Sequence, residues 1–199
     1  MSEKNENDLK MEDVRMPEKE EGEKKKKGRS ILREVLGWVR TIAIAVILAG
    51  LINFFLIANS SVPTGSMETT IPAGSRIIGW RPDYHFEDPQ RGDIVIFKYP
   101  DDESMTFVKR IIGMPGETVT IIDGKVYINN STTPLDEPYL TQTPTGSFGP
   151  YLVPADSYFM LGDNRDNSKD SRYWNNPYVS RDKILAKVYF MWWPRFRTF

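Results

Sequence analysis

The sequence predicts a mainly β fold: a barrel-like, all-β domain preceded by one transmembrane helix. Three observations support this prediction. A long apolar run without charged residues occurs early in the chain, at residues 41–58. Several short runs rich in β-branched and aromatic residues follow it, and no convincing amphipathic helix does. The 199 residues provide enough chain for one modest domain and an appendage.

The N-terminal segment differs sharply in composition from the rest of the chain. Residues 1–30 contain few apolar side chains and are rich in Glu, Lys and Asn. A segment of this kind cannot bury enough apolar surface to offset the entropy lost on ordering. Its last residues include a basic cluster, 24–29, and Arg33 and Arg40 follow. Residues 1–34 are therefore predicted to form a disordered tail.

The apolar run Thr41–Ala58 is predicted to span a membrane. At about 1.5 Å per residue, its 18 residues nearly cross a hydrocarbon core of about 30 Å. Trp38 and Val39 lengthen the run, and Arg40 can extend its charge toward the headgroups. The anchor helix is accordingly predicted at residues 35–58.

Two other interpretations of this run are less consistent with its flanks. A helix buried in a soluble protein would not have such asymmetric flanks. A removable signal peptide starts with a short basic segment and ends in small residues, whereas about forty residues precede this run and Leu56 occupies a position that needs a small side chain. Basic residues precede the run, and none follows it before Arg76. The positive-inside rule then predicts a cytoplasmic N-terminus and an extracytoplasmic domain, residues 59–199.

The domain after the anchor shows the patterns of β-strands. Turn residues separate short alternating or apolar runs, and Asp123-Gly124 is a strong signal for a tight hairpin. Residues 130–150, rich in Thr, Pro and Gly, are predicted to form a long surface loop. Strands are predicted at 93–99, 104–112, 157–161 and 184–192, with a hairpin at 118–129.

Composition restricts the chemistry that the domain could perform. The chain has no cysteine and one histidine, which excludes disulfides, thiolate metal sites and a cysteine nucleophile and leaves too few histidines for a His-rich zinc site. The formal net charge of −1 gives no indication of a nucleic-acid partner. Hydrolysis would depend on hydroxyls, carboxylates, lysines or His85. His85 lies in the polar, proline-bounded stretch 81–89, which favours an exposed loop and a solvated imidazole.

Ser66 and Lys109 are the candidate nucleophile and base. Ser66 lies in a Pro- and Gly-containing loop just after the anchor, where serines are common, so its reactivity depends on finding a base. Strand alternation places Lys109 on one face with Phe107 and Ile111. Burial there would lower the pKa of the amine and make it a base. A solvent-facing lysine remains the alternative, because the adjacent Arg110 is also basic.

The run Gly162–Arg172 is a third candidate segment. Ten of its eleven residues are polar or charged, and it follows the apolar strand 158–161. A solvated turn would have this composition. An active-site loop would also have it, because small hydrogen-bonding groups and ion pairs can orient a base and make the loop rigid.

Four segments together resemble one enzyme family. They occur in family order after a single anchor: Pro63–Met67, Arg91–Val95, Val108–Gly116 and Gly162–Arg172. From the anchor to the C-terminus, the chain resembles the bacterial type I signal peptidases, also called leader peptidases, which are serine-lysine dyad proteases. The resemblance implies a membrane-bound serine endopeptidase of the bacterial cell membrane that removes signal peptides from exported preproteins. Preproteins and the lipid bilayer are the implied partners, and no cofactor, metal or nucleic acid is expected.

The resemblance also implies individual roles. Ser66 matches the acylating nucleophile and Lys109 its unprotonated general base. Thr64 matches a hydroxyl that forms the oxyanion hole together with the backbone N–H of Ser66, and Ser168 matches a hydroxyl that orients the lysine amine. Four charged residues match positions that support the site: Arg110, Asp163, Asp170 and Arg172.

Two departures from the family pattern and two rival functions accompany this prediction. The family usually has proline where Thr69 stands and aspartate where Ser75 stands; neither change removes a reacting group.

One rival is a serine-lysine self-cleaving regulator, but such proteins carry a soluble DNA-binding domain where this chain has the anchor. The other is a non-catalytic, anchored β domain that recruits partners.

The C-terminal segment 190–197 is rich in aromatic residues and arginine. Two interpretations remain open for it. It could be a core strand with an exposed end. It could also be a patch that lies among lipid headgroups, where Trp and Arg are favoured.

Overall fold

The computed structural model describes the backbone of residues 18–199 and the side chains of residues 33–84 and 86–199. The first seventeen residues of the predicted disordered tail lie outside the described residues. Helix α1 occupies Glu18–Phe55, so it begins inside the predicted tail. Glu and Lys, which dominate its first turns in sequence, have high intrinsic helix propensity. The chain divides into two compact units, Met1–Gly50 and Leu51–Phe199.

The second half of α1 has the length and composition of a membrane span. Its 23 residues Arg33–Phe55 include no buried side chain in their most apolar part. Large side chains such as Val46 and Phe54 are exposed, which is unfavourable in water and is consistent with membrane anchoring. The helix ends at Phe55, three residues before the predicted end, because Ile57 and Ala58 pair with a strand and Ala58 is buried in the core.

Eleven strands follow α1, and the four-residue helix α2, Asp83–Phe86, lies between the second and third. The strands are β1 Ile57–Val62, β2 Ser75–Trp80, β3 Ile94–Tyr99, β4 Asp102–Gly113, β5 Thr118–Ile122, β6 Lys125–Ile128, β7 Phe148–Leu152, β8 Ser157–Leu161, β9 Tyr178–Ser180, β10 Ile184–Trp193 and β11 Arg197–Thr198.

The strands form two antiparallel sheets. The larger has the order β1-β2-β10-β3-β4-β8-β9, with β11 also paired to β10, and the smaller has the order β6-β5-β7. The predicted mainly β class with one preceding helix is confirmed. In the described part of the chain the larger sheet does not close into a barrel, because β1 and β9 stand at opposite ends of its strand order.

Every predicted strand is present, with small differences in its ends. The hairpin turns at Asp123-Gly124 as expected, with both residues at positive φ. Five strands were not predicted: β1, β2, β7, β9 and β11. β1 lies partly within the predicted anchor, β9 and β11 are very short, and β7 occupies the end of the segment predicted to be loop and extends past it.

Three apolar clusters form the core of the domain. One contains Met67 and Ile71, which follow β1, and packs against β2, β3 and β10. A second contains Phe97 and Ile111 from the paired strands β3 and β4. These two clusters hold the segment after β1 and the strand β4 in fixed positions, and the candidate site lies between them.

Candidate active site

Ser66 lies in a single turn of 3-10 helix, Gly65–Met67, directly after β1. Pro63 has no N–H to continue the ladder, so the chain leaves the sheet there. Met67 and Ile71 then anchor the turn, since both are fully buried, and the N–H of Ile71 donates to the carbonyl of Met67 at 2.6 Å. The nucleophile candidate is therefore held from its C-terminal side by the core, and its own side chain is only 7% exposed.

The polar run after β8 holds the same turn from the opposite side. The backbone N–H of Asn164 donates to the carbonyl of Ser66 at 3.1 Å, and its side-chain amide donates to the carbonyl of Gly65 at 2.9 Å. Gly162 makes this approach possible: a Cβ there would lie 2.5 Å from the carbonyl oxygen of Ser66 and 2.2 Å from Oγ of Ser168. The run is thus an ordered part of the site rather than a solvated turn.

Lys109 is buried in β4 and reaches Ser66. Lys109 is 3% exposed, and it lies opposite Val95 in the antiparallel pairing of β3 with β4. Nζ is hydrogen-bonded to Oγ of Ser66. Burial lowers the pKa of Lys109 to about 8, although the charges of Asp170 and Asp163 act in the opposite direction. A lysine with that pKa is a substantial fraction free amine at neutral to mildly alkaline pH.

Arg110 points to the opposite face of β4 and is paired. Its Nε and Nη2 donate to the two carboxylate oxygens of Asp163 at 2.9 and 2.6 Å, and its Nη1 donates to the carbonyl of Gly92 at 2.7 Å. The hydroxyl of Thr70 donates to the same carboxylate. Asp163 therefore links β4, which carries Lys109, to the segment that follows Ser66.

A second ion pair stabilises the loop after β8. Asp170 is fully buried and accepts from Nε and Nη2 of Arg172 at 2.8 and 2.9 Å. Its carboxylate also accepts from the N–H of Gly162 at 3.1 Å. A third pair, Arg165 with Glu137, is equally buried and joins this loop to the segment before β7. Ion pairs with both partners buried and hydrogen-bonded make a loop rigid, because breaking one leaves an unpaired buried charge.

The two groups expected to form an oxyanion hole lie beside the nucleophile. Oγ1 of Thr64 is 3.4 Å from Oγ of Ser66, and Thr64 is exposed at the turn. The N–H of Ser66 belongs to the first turn of its 3-10 helix, where N–H groups have no acceptor within the helix. A free N–H and a hydroxyl close to the nucleophile are the donors that a developing oxyanion requires.

Three hydroxyls at or near the site have no hydrogen-bond partner among the described residues: Thr69, Ser75 and Ser168. Ser168 is buried and packs against Gly162, so the structure brings it to the site, but a bond to the amine of Lys109 stays a prediction. Thr69 and Ser75 are the two departures from the family pattern. Ser75 is fully buried opposite Val62 in β2, where an aspartate would place an unpaired charge.

A cavity of about 380 Å³ opens onto the pair. Two elements form its walls: the segment from the end of β1 to Ser66, and residues 106–109 of β4. Asn167 and Lys169 complete its lining. Extended backbone on both walls and a reactive pair at one end suit a bound stretch of polypeptide.

Among the described residues that line this cavity there is no histidine, aspartate or glutamate. His85 belongs to α2, and its side chain is not among the described ones, so the prediction of a solvated imidazole is not tested. Among the side chains that the structure describes, no group of three or more His, Cys, Asp or Glu could hold a metal ion.

Comparison with known proteins identifies the family. The family model described as "Signal peptidase, peptidase S26" matches residues 35–193. The chain is 40% identical over 164 residues to a signal peptidase I of Leptolyngbya laminosa, with 78% of each chain covered. It is also 41% identical to a probable signal peptidase I-2 of Synechocystis, over 78% of this chain and 72% of that one.

A third relative, a signal peptidase I of Bacillus amyloliquefaciens, is 43% identical over 69% of this chain and 77% of its own. The chain belongs to the signal peptidase family, peptidase S26. It is therefore a peptidase, and the resemblance inferred from four ordered segments is confirmed.

Membership in the family S26 does not itself assign individual residues. The structure brings together Thr64, Ser66 and Lys109, and it places Ser168 and the predicted supporting ion pairs around them. Four contributors were missed by sequence reasoning: Thr70, Asn164, Arg165 and Glu137. Asn164 and Arg165 belong to the polar run already singled out, so their position was a usable signal. Thr70 and Glu137 gave none, because each meets its partner across a long stretch of chain.

Proposed function

We propose that this peptidase is membrane-anchored and cleaves signal peptides from exported preproteins by a serine-lysine acyl-enzyme mechanism. The contact between Nζ of Lys109 and Oγ of Ser66 carries the proposal. It is supported by the relatives, which are named signal peptidases, and by the cavity that opens onto the pair.

The proposed first step forms the acyl-enzyme. Neutral Lys109 accepts the proton of the Ser66 hydroxyl as Oγ attacks the scissile carbonyl carbon. The carbonyl oxygen becomes an oxyanion, to which the N–H of Ser66 and the hydroxyl of Thr64 donate hydrogen bonds. As the C–N bond breaks, the Lys109 ammonium returns the proton to the leaving amine. The mature protein departs with a new N-terminus.

The second step releases the signal peptide. Water enters at the position of the departed amine, and Lys109 accepts its proton while the hydroxide attacks the ester carbon. The tetrahedral intermediate collapses, and the proton returns to Oγ of Ser66. The carboxylic acid formed at the end of the signal peptide loses its proton to solvent and leaves as a carboxylate, and Ser66 and Lys109 are again in their starting protonation states. Ser168 is proposed to hold the amine of Lys109 in line with Oγ in both steps.

The stretch of chain between the anchor and the site is short, which suits this substrate. Ser66 lies eleven positions after Phe55 at the end of α1, which limits the distance between the two residues to about 40 Å of extended chain. A signal peptide presents its scissile bond just beyond its own membrane-inserted apolar segment. We propose that residues 35–55 anchor the enzyme in the bacterial cell membrane, with the tail cytoplasmic and the catalytic domain outside.

The decisive experiment is cleavage of a preprotein by the full chain in detergent or vesicles. Ser66→Ala and Lys109→Ala are each expected to lower kcat/KM by at least about 10⁴-fold, because each removes a group that reacts. Circular dichroism would establish that both variants remain folded. An anchored β domain that only recruits partners predicts no preprotein cleavage by the wild-type chain and no loss of partner binding in either variant.

A further inference from the structure

A second lysine borders the catalytic cavity. Lys169 lines the same cavity as Ser66 and Lys109, but its side chain is exposed whereas that of Lys109 is buried. Lys169 directly follows Ser168 in the loop that is held in place by the Asp170–Arg172 ion pair. Its backbone is therefore fixed at the cavity, while its ammonium group remains accessible to solvent and to a bound chain.

The cavity contains no negative charge. Among the residues that line it, Lys109 and Lys169 are the ones with an ionisable side chain, and neither Asp nor Glu takes part. Burial lowers the pKa of Lys109 to about 8, so Lys109 gives up its charge when it serves as the base. Lys169 then provides the positive charge that a bound polypeptide encounters.

Lys169 forms no ion pair within the part of the chain that the structure describes. The carboxylate of Asp101 interacts with it electrostatically without forming an ion pair. That carboxylate already accepts from the N–H groups of Asn175 and Asn176 at 2.9 and 2.8 Å and from the hydroxyl of Tyr99 at 2.8 Å. The ammonium of Lys169 is left available for a carboxylate of the substrate.

A chain of ring contacts places Lys169 on the Lys109 side of the cavity. Nζ of Lys109 is 6.0 Å from the ring centre of Phe107, and Phe107 stacks on Tyr99 with 4.5 Å between ring centres. Nζ of Lys169 is 5.8 Å from the ring centre of Tyr99. Because Lys109 returns a proton to the leaving amine, the residues after the scissile bond depart on this side.

We propose that Lys169 determines specificity by favouring an acidic side chain over a basic one in the first residues after the scissile bond. This inference rests on the proposed function. An ammonium exposed to solvent attracts a carboxylate and repels another ammonium, and the two effects together change the ratio of the cleavage rates by roughly two- to fivefold. Salt screens such an interaction.

The test uses the full-length enzyme in detergent and preproteins that differ at one residue. Glu, Gln or Lys is placed in turn at each of the first three positions after the scissile bond, and kcat/KM is measured. For wild type at low salt, the Glu substrate is expected to be cleaved about two- to fivefold faster than the Lys substrate at one or more positions, with Gln between them. This ratio is expected to approach one in 1 M NaCl.

Three variants separate the charge of Lys169 from general effects. Lys169→Gln is expected to abolish the preference, and Lys169→Glu to reverse it. Lys125→Glu, which makes the same change of net charge on β6 outside the cavity, is expected to leave the ratio unchanged. The Gln substrate reports whether each variant still cleaves.

The proposal is overturned if the Glu-to-Lys ratio is the same in Lys169→Gln and Lys169→Glu as in wild type while the Gln substrate is cleaved. A wild-type ratio of one at low salt at all three positions also overturns it. Failure of wild type to cleave any of the preproteins would instead reject the proposed function, and this inference with it.

Discussion

Lys109 and Arg110 are adjacent cations on β4 whose side chains have opposite surroundings. Arg110 forms two hydrogen bonds with Asp163, so its charge is neutralised by a partner. Lys109 is buried beside an uncharged hydroxyl and has no carboxylate partner among the described residues. The contrast separates two uses of a buried charge. A paired charge supports structure, whereas an unpaired lysine is pushed toward its neutral form and becomes a base.

The largest expected loss of stability comes from breaking the ion pair between Arg110 and Asp163. Asp163→Ala leaves Arg110 without its carboxylate and removes the acceptor of Thr70, so the free energy of unfolding is expected to fall by roughly 3–5 kcal/mol. Denaturant unfolding of the full chain in detergent measures it. Asp88→Ala, which breaks the exposed pair with Arg181, is the matched control and is expected to cost less than about 1 kcal/mol. Equal losses in the two variants would contradict the distinction.

The next effect concerns catalysis and leaves stability nearly unchanged. Thr64 is exposed and its hydroxyl lies beside that of Ser66, so Thr64→Val is expected to lower kcat by about 10²–10³-fold with little change in KM. Thr64→Ser keeps the hydroxyl and is expected to remain active. Steady-state kinetics on one preprotein gives both constants. Wild-type activity in Thr64→Val would show that the hydroxyl of Thr64 does not contribute to the oxyanion hole.

The smallest expected loss of stability belongs to the variant that most sharpens the comparison. Lys109→Met removes the base and with it the activity, but it also removes an unpaired buried amine, so the variant is expected to be at least as stable as wild type. The folded state has a pKa of about 8 for Lys109 against 10.5 when unfolded, so it binds fewer protons between these values. This group's contribution to stability therefore improves as pH rises from about 8 to 10.5.

Unfolding measured at pH 7 and pH 10 checks this sign. The stability advantage of Lys109→Met over wild type is expected to be larger at pH 7, because wild type then carries a buried ammonium, and to shrink toward pH 10. An advantage that grows with pH would show that Lys109 is stabilised as the cation in the folded protein.

The residues that could be predicted from sequence are those with local signals. Alternation placed Lys109 on the same face of β4 as Ile111, where both residues are buried, and Asp123-Gly124 marked the hairpin. β1 could not be predicted, because Ile57 and Ala58 continue an apolar run and become a strand only through pairing with β2. β7 contains Gly149 and Pro150, which normally argue against a strand.

The site residues likewise divide into those with a local sequence signal and those without one. Ser66, Lys109 and the polar run were identified from motifs that are continuous in the chain. The contact of Thr70 with Asp163 spans 93 residues, and that of Arg165 with Glu137 spans 28. No local pattern records such pairings, since they depend on how the strands are ordered in the two sheets.

The pH dependence of kcat/KM tests the central claim most directly, because it reports the ionisation of the free enzyme. Cleavage of one preprotein by the full chain would be followed from pH 6 to pH 10, with folding checked at each pH. The rate is expected to rise about tenfold per pH unit at low pH and to level off above a midpoint near 8, where Lys109 loses its proton. A midpoint near 6.5 that disappears in His85→Gln, or a rate independent of pH, would contradict a neutral Lys109 as the base.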